Sequence, residues 1–243
     1  WPLKRIGSAA VASMAQTLER RADYIGQFAT AVSHEFKTPL AALRGALELL
    51  QDHAATMSEA ERAGFLAQAT ADVQRLDLLV RRLLDLARAE APRAHGAEQA
   101  DVGRVAAEAA AAFAATGPAI ALEGAAGIAV AMAPEALRSI LAILFENVHQ
   151  HAGPGARCRV GWQAAGGMVR VTVGDDGRGI SVANAARVFD RFFTTARESG
   201  GTGLGLAIAR GLAEATGGTL ALLPGPGGAV FALVVPVAGS VTK

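Results

Sequence analysis

His34 stands in the string FATAVSHEFKTPL, residues 28–40, with Glu35 beside it, Thr38 one helical turn further on and Pro39 next. A neutral imidazole is a competent nucleophile near neutral pH. A neighbouring carboxylate can hydrogen-bond one ring nitrogen and free the other to attack. Pro39 removes a backbone donor and loosens the turn that ends near His34. On these features alone, an ordinary solvated histidine beside a simple kink is the more economical reading.

A second group of residues could hold a phosphate-bearing partner. Val171, Thr172 and Val173 end an apolar run and lead into Asp175, Gly177 and Gly179, spaced D-x-G-x-G. A carboxylate at a strand end can accept a hydrogen bond from an adenine amino group, and glycines let the backbone approach closely. The same string also suits a plain turn. Asn147, in Leu144-Phe145-Glu146-Asn147, offers an amide oxygen that can ligand a magnesium ion bridging phosphates. Residues 201–206 read GTGLGL just before a helical pattern, and backbone amides at such a point form an anion site. The Walker pattern is absent and no G-x-G-x-x-G opens a helix after a strand, which excludes the common phosphate loop and the dinucleotide fingerprint. His149 and His151, two positions apart, fall on different faces of a helix and do not share a metal.

These residues need elements to position them. From about Ser8 to His53 the chain reads as one helix, with Ile25, Ala29, Val32, Phe36, Pro39, Leu43, Ala46 and Leu50 forming a packing seam. His34, between two seam positions, then points outward. A turn is expected at 54–57. Ser58 and Glu61 make a capping box for a second helix, in which Val73, Leu76, Val80, Leu83 and Ala87 repeat the seam. This antiparallel hairpin has too little core to stand alone, so pairing with a second copy into a four-helix bundle is expected. Pro92 to Ala100 reads as a linker. Beyond it come a helix over 102–115, a strand near 128–132, a helix from Pro134 to about His149, paired strands 157–163 and 168–173 around a turn at 164–167, a helix over 204–216, and strands 219–223 and 229–236. The order predicts an α+β chain of two domains, the second a two-layer α/β sandwich with a mixed, mostly antiparallel sheet.

Composition limits the alternatives. With 243 residues, 51% hydrophobic, the chain can bury a core, and a formal net charge of +1 gives no basic surface for nucleic acid. Cys158 is the single cysteine, which fits a structural thiol in a reducing compartment. No stretch approaches the roughly 20 apolar residues that span a bilayer, and no signal-peptide order opens the chain, so this stretch is expected to be soluble. Trp1 and Pro2 run straight into helical pattern, as in a piece of a longer protein.

The string around His34 resembles the H box of sensor histidine kinases in two-component signalling: upstream aromatic, S-H-E core, basic residue, T-P-L ending. Asn147, the D-x-G-x-G run, VFDRFFTT at 188–195 and GTGLGL, in that order, resemble the N box, glycine boxes and F box of the ATPase domain shared by histidine kinases, gyrase-type topoisomerases, Hsp90-type chaperones and MutL. The resemblance covers about Asp23 to Pro236. It implies that His34 is autophosphorylated from ATP, that Glu35 is the general base, and that Thr38 positions water in a reverse phosphatase reaction. It also implies that Asn147 ligands Mg2+ and that Asp175 reads adenine above a floor of Gly177, Gly179 and Ile180. Gln150, His151, Phe193 and Thr194 would line the nucleotide pocket. Gly201, Thr202, Gly203, Leu204, Gly205 and Leu206 would form its phosphate side, with residues 189–200 as a mobile lid.

The implied organisation is a signal-transmitting helix or linker at 1–22, a dimerisation and phosphotransfer domain at 23–91, a linker at 92–100, a catalytic ATP-binding domain at 101–238 and a tail at 239–243. The implied partners are a second copy, a response-regulator receiver domain that takes the phosphoryl group on an aspartate, and an upstream sensor or membrane segment outside this chain. The location would be cytoplasmic, either free or as the cytoplasmic part of an inner-membrane protein. Two positions depart from many relatives: Ile143 stands where a second asparagine is common, and Gln150 where a basic residue is common. Both remove a polar contact near metal or phosphate, so weaker binding is expected, with the chemistry retained. The rivals are a catalytically silent dimeric module and another ATPase of the same superfamily. The histidine hairpin argues against the second.

Overall fold

The structure, a computed structural model, describes residues 30, 32–53, 55–90, 98–114, 117–153, 155–196, 201–225 and 227–239. They fall into two compact units divided within the second helix, at Leu79 and Val80, and each is treated by itself.

The first unit is a helical hairpin of α1, over 32–53, and the part of α2, Glu59–Glu90, that runs to Leu79. The expected helical stretch before residue 30, with Ile25 and Ala29, lies outside the described residues, as does the side chain of Ala87. The capping box forms as the sequence predicts. Glu61 Oε2 accepts from the Ser58 hydroxyl at 2.7 Å and the Ser58 amide at 2.8 Å, while the Ser58 hydroxyl accepts from the Glu61 amide at 3.3 Å. These bonds hold the Glu61 carboxyl below the usual carboxylate range.

Along α1 the expected seam faces inward, with Pro39 and Ala46 buried and Val32, Phe36, Leu43 and Leu50 half-buried. Along α2 the seam needs correction. Val73 and Val80 are exposed, whereas Ala69, Asp72 and Leu79 are buried and Leu76 and Leu83 half-buried. The reason is that α2 carries two apolar stripes. Phe65, Ala69, Leu76, Leu79 and Leu83 are buried or half-buried and Leu66, Val73, Val80 and Leu84 lie in solvent, opposite to what the valines suggest. On α1, Leu40 and Leu47, two turns apart, are also exposed.

The second unit is an α/β sandwich. A five-stranded sheet runs in the order β2-β4-β5-β7-β6, from β2 Ile120–Gly124, β4 Cys158–Ala165, β5 Met168–Asp175, β6 Thr219–Leu223 and β7 Val230–Pro236. The β2–β4 pair is parallel and the others antiparallel, which gives the mixed, mostly antiparallel sheet expected. A separate ribbon pairs β1 Ala100–Asp101 with β3 Ala129–Val130. The helices are α3 Val102–Phe113, α4 Pro134–His151, the short α5 Val182–Ala185 and α6 Gly205–Glu214. Among them α4 lies between α3 and α6.

The β4–β5 hairpin turns on two residues, Gly166 and Gly167, both at positive φ, so β4 runs two residues further into the expected turn, and β5 extends two residues at its far end, to Asp175. Neither β2 nor α5 is evident in the sequence pattern. The β2 strand is anchored from β4: the Trp162 indole lies over Gly124 and donates to the Ala125 carbonyl at 2.8 Å.

The core fills the space between sheet and helices, where Leu137, Ile140, Leu141, Phe145, Ile208, Val171, Phe231 and Leu233 are buried almost completely. Phe145 also meets Phe113 at 5.9 Å between ring centroids. Replacing Phe145 with Ala is expected to cost about 3–5 kcal/mol, read as a lower thermal midpoint by circular dichroism.

Candidate active site

His34 is exposed on α1, and Thr38 Oγ1 donates back to the His34 carbonyl at 3.4 Å. Pro39 supplies no N–H for the Glu35 carbonyl one turn earlier, which leaves the helix hydrogen-bonding broken beside the histidine. Glu35 does not point outward with it. Its side chain is 16% exposed and lies 3.8 Å from Arg75 Nη2 on α2. One turn before Arg75, Asp72 is buried and accepts from Gln68 Nε2 at 3.3 Å. The H-box helix therefore faces a polar line on α2 that the motif gives no hint of.

The second unit holds a cavity of about 460 Å³, within the size range of small-molecule sites. Its longest wall is α4. The core face of this helix carries Leu137, Ile140, Leu141, Leu144 and Val148, and its other face turns Ile143, Glu146, Asn147, Gln150 and His151 to the cavity. Asp175, Gly179 and Ile180 line it from the end of β5. Phe193 and Thr194 line it from the F segment, and Gly201, Thr202, Gly203, Gly205 and Leu206 from the glycine turn and the start of α6. Two expected lining residues do other work. Leu204 is buried in the core. Gly177 donates its amide to Asp175 Oδ1 at 2.9 Å and packs so close to Ala152 that a Cβ would collide with that residue's backbone.

Strand pairing fixes Asp175. It ends β5 opposite Cys158, and its amide donates to the Ala229 carbonyl at 3.0 Å. With Oδ1 on the Gly177 amide, Oδ2 is the atom left for a ligand. Burial, and then the Asp175 charge, push the Cys158 thiol up to about 12, so this cysteine is an inert packing group.

The glycine turn is stitched to the F segment. The Phe192 amide donates to the Gly203 carbonyl at 2.8 Å, and the Gly201 amide to the Ala196 carbonyl at 2.8 Å. Gly203 sits at φ +67. Phe189 packs edge-on against Phe231, with Arg210 over its other side, and Arg187 lies over Phe193. Of the expected lid, residues 197–200 lie outside the described residues.

Sequence reasoning missed Glu146, Arg178 and Thr195 as lining residues. Arg178 Nε donates to the His151 carbonyl at 2.7 Å, and Thr195 Oγ1 is 3.5 Å from His151 Nδ1. Arg178 sits inside the D-x-G-x-G run, and no spacing rule distinguishes it there.

Burial, and then the charge of Arg178, lower the His151 pKa, so the fold favours its neutral ring. The stability this confers is complete above an unfolded histidine's value of about 6.5. It is lost as pH falls through the lower folded value. His151→Gln should lose less of its thermal midpoint than the parent chain between about pH 7 and pH 5.

Among the described residues no group of three or more His, Cys, Asp or Glu side chains is placed to hold a metal, and no helix is long and apolar enough to cross a membrane.

An α/β sandwich with a glycine turn, an asparagine-bearing helix and a strand-end aspartate around one cavity defines a nucleotide-binding domain of the ATPase class. Residues 132–239 match the family model for histidine kinase-, DNA gyrase B- and HSP90-like ATPases, and residues 24–92 match the His Kinase A phospho-acceptor domain. The chain belongs to the sensor histidine kinases, as their phospho-acceptor and ATPase portion.

Among curated relatives, the probable sensor histidine kinase TcrY of Mycobacterium tuberculosis is 31% identical over 223 residues, covering 88% of this chain and 46% of TcrY. The chain thus spans about half the length of that relative. Among solved structures, full-length ShkA in complex with AMPPNP has a TM-score of 0.62 at 26% identity, covering 88% of this chain and 46% of ShkA. Histidine kinase ThkA in complex with the response regulator protein TrrA has a TM-score of 0.70 at 18% identity, covering 90% of this chain and 63% of that one, and shares the fold.

Proposed function

We propose that this chain is the catalytic portion of a two-component sensor histidine kinase that phosphorylates His34 from ATP and passes the phosphoryl group to an aspartate of a response regulator. The observation that carries the reading is one cavity that draws Asn147, Asp175, Thr202 and Gly203 together from separate segments, in a chain whose other unit exposes His34 on a helix.

His34 attacks through a ring nitrogen. The N–P bond forms as the bond from the γ-phosphorus to the bridging oxygen breaks, and ADP leaves with the electron pair. The proton of the other ring nitrogen passes to Glu35, a role given by the family resemblance, for which its carboxylate must turn from Arg75 to the ring. Asp175 Oδ2 takes the adenine amino group, and the amides of the glycine turn offset phosphate charge. Asn147 supplies a hard oxygen suited to Mg2+, which when bound would neutralise the phosphates. Transfer requires the bound nucleotide to reach His34, a task assigned to the linker over 92–100 between the proposed domains 23–91 and 101–238.

The stripe of Leu66, Val73, Val80 and Leu84, with Leu40 and Leu47, is the surface for a second copy in a four-helix bundle. The helices around His34 are the docking face for the receiver domain, and the structure of ThkA in complex with the response regulator protein TrrA supports a partner of this kind. Thr38 serves the reverse, phosphatase direction. A cytoplasmic location and an upstream sensor complete the reading.

The test is incubation with γ-labelled ATP and Mg2+. The expected result is a label on the chain that is lost in acid and kept in base, as an N–P bond requires. ATP binding without label would support a catalytically silent dimeric module.

A further inference from the structure

The α4 wall of the cavity carries a carboxylate that the motifs leave without a task. Glu146 precedes Asn147 and lines the cavity with it. Its Oε1 accepts from Gln150 Nε2 at 2.6 Å, one turn on, which holds the half-buried side chain in place. Two neighbouring positions sharpen its effect. Ile143 is 8% exposed, and a Cβ on Gly205 would stand only 3.2 Å from its Cγ2, so the helix position against the glycine turn presents a methyl group. Gln150 is neutral, and its amide is spent on Glu146.

Positive charge reaches the cavity from Arg178. Arg178 is tied to the His151 carbonyl, which lies about 12 Å along the helix from Ile143. His151 itself is held neutral. A triphosphate laid along α4 with its phosphates at the glycine turn therefore meets a carboxylate and no lysine on this wall. Repulsion of that kind is strong in a half-buried site. A hard divalent cation reverses it, because Mg2+ binds through one or two protein oxygens together with substrate phosphates. The carboxamide of Asn147 and the carboxylate of Glu146 both line this cavity.

We propose that Glu146, steadied by Gln150, is a second metal-facing oxygen donor beside Asn147, so that the gain in triphosphate affinity on adding a divalent cation depends on this carboxylate. The inference rests on the nucleotide reading of the cavity. It turns the departure at Gln150 from a simple loss into a change of recognition, from protein cation to bound metal.

Calorimetric titration of the whole chain with AMPPNP, at matched ionic strength, with excess Mg2+ or with EDTA, tests it. The parent chain should bind at least about tenfold tighter with the metal. In Glu146→Gln the two affinities should converge to within about threefold, because metal-free binding strengthens while metal-dependent binding weakens. Gln150→Ala, which frees the carboxylate, should narrow the ratio by a smaller amount, and it serves alone if the first variant does not fold. Adenosine, lacking phosphates, should bind parent and Glu146→Gln alike. An unchanged metal ratio in both variants overturns the proposal, and so does a parallel loss of adenosine binding, which would make Glu146 a shape-keeping residue. Failure of the parent to bind AMPPNP with Mg2+ would instead remove the nucleotide reading beneath it.

Discussion

Replacing His34 with Gln lowers phosphoryl transfer to the chain by at least about a thousandfold and leaves nucleotide affinity unchanged. The imidazole supplies the nucleophilic lone pair, and a carboxamide nitrogen, its lone pair delocalised into the carbonyl, cannot replace it. Because His34 is exposed on α1, the variant leaves no cavity and no unpaired buried group, and the hairpin should melt as the parent does. Label incorporation measured beside fluorescence titration with a nucleotide analogue separates the two effects. A variant that loses nucleotide binding with the label would place His34 in the pocket machinery, contrary to this account.

Gly203→Ala is the second large effect, and it works from the other unit. Gly203 has φ +67, a conformation that costs other residues of order 1–3 kcal/mol. A Cβ there would also stand 2.7 Å from the Phe193 amide nitrogen and collide with the Phe192 backbone. Relief requires the turn to move, which breaks the bond from the Phe192 amide to the Gly203 carbonyl and disperses the amides proposed to hold the phosphates. Triphosphate affinity should fall at least about tenfold, while the core of Leu137, Ile140, Phe145 and Phe231, away from the turn, keeps the domain folded. Adenosine binding, which relies on Asp175, should change much less. Equal losses for both ligands would show a general collapse of the pocket.

Local chemistry made much of this legible in the sequence. The capping box at Ser58 and Glu61 depends on residues close together in the chain and forms as expected, and the turn expected over 164–167 is found there, narrowed to Gly166 and Gly167. What escaped depends on distant partners. The β2 strand exists through parallel pairing with β4 and the indole of Trp162, more than thirty residues away. The inward face of α2 differs from the expected one because Val73 and Val80 are more apolar than Asp72, which is the residue buried. Two stripes on one helix cannot be ranked without knowing which neighbour each meets. Glu35 kept its adjacency to His34 in sequence yet turns to Arg75 across the hairpin, a pairing that no spacing along the chain expresses. Leu204, inside a glycine motif, belongs to the core because its side chain, unlike the backbone around it, faces away from the cavity.

The central claim is that the γ-phosphoryl group of ATP ends on the His34 ring. Peptide mass mapping of the chain after incubation with ATP and Mg2+, under alkaline conditions that preserve N–P bonds, tests it most directly. One added phosphoryl mass is expected on the peptide bearing His34, with fragment ions that place it on the imidazole and its absence from His34→Gln. A phosphoryl group on any other residue, or none on a chain that binds AMPPNP, would contradict it.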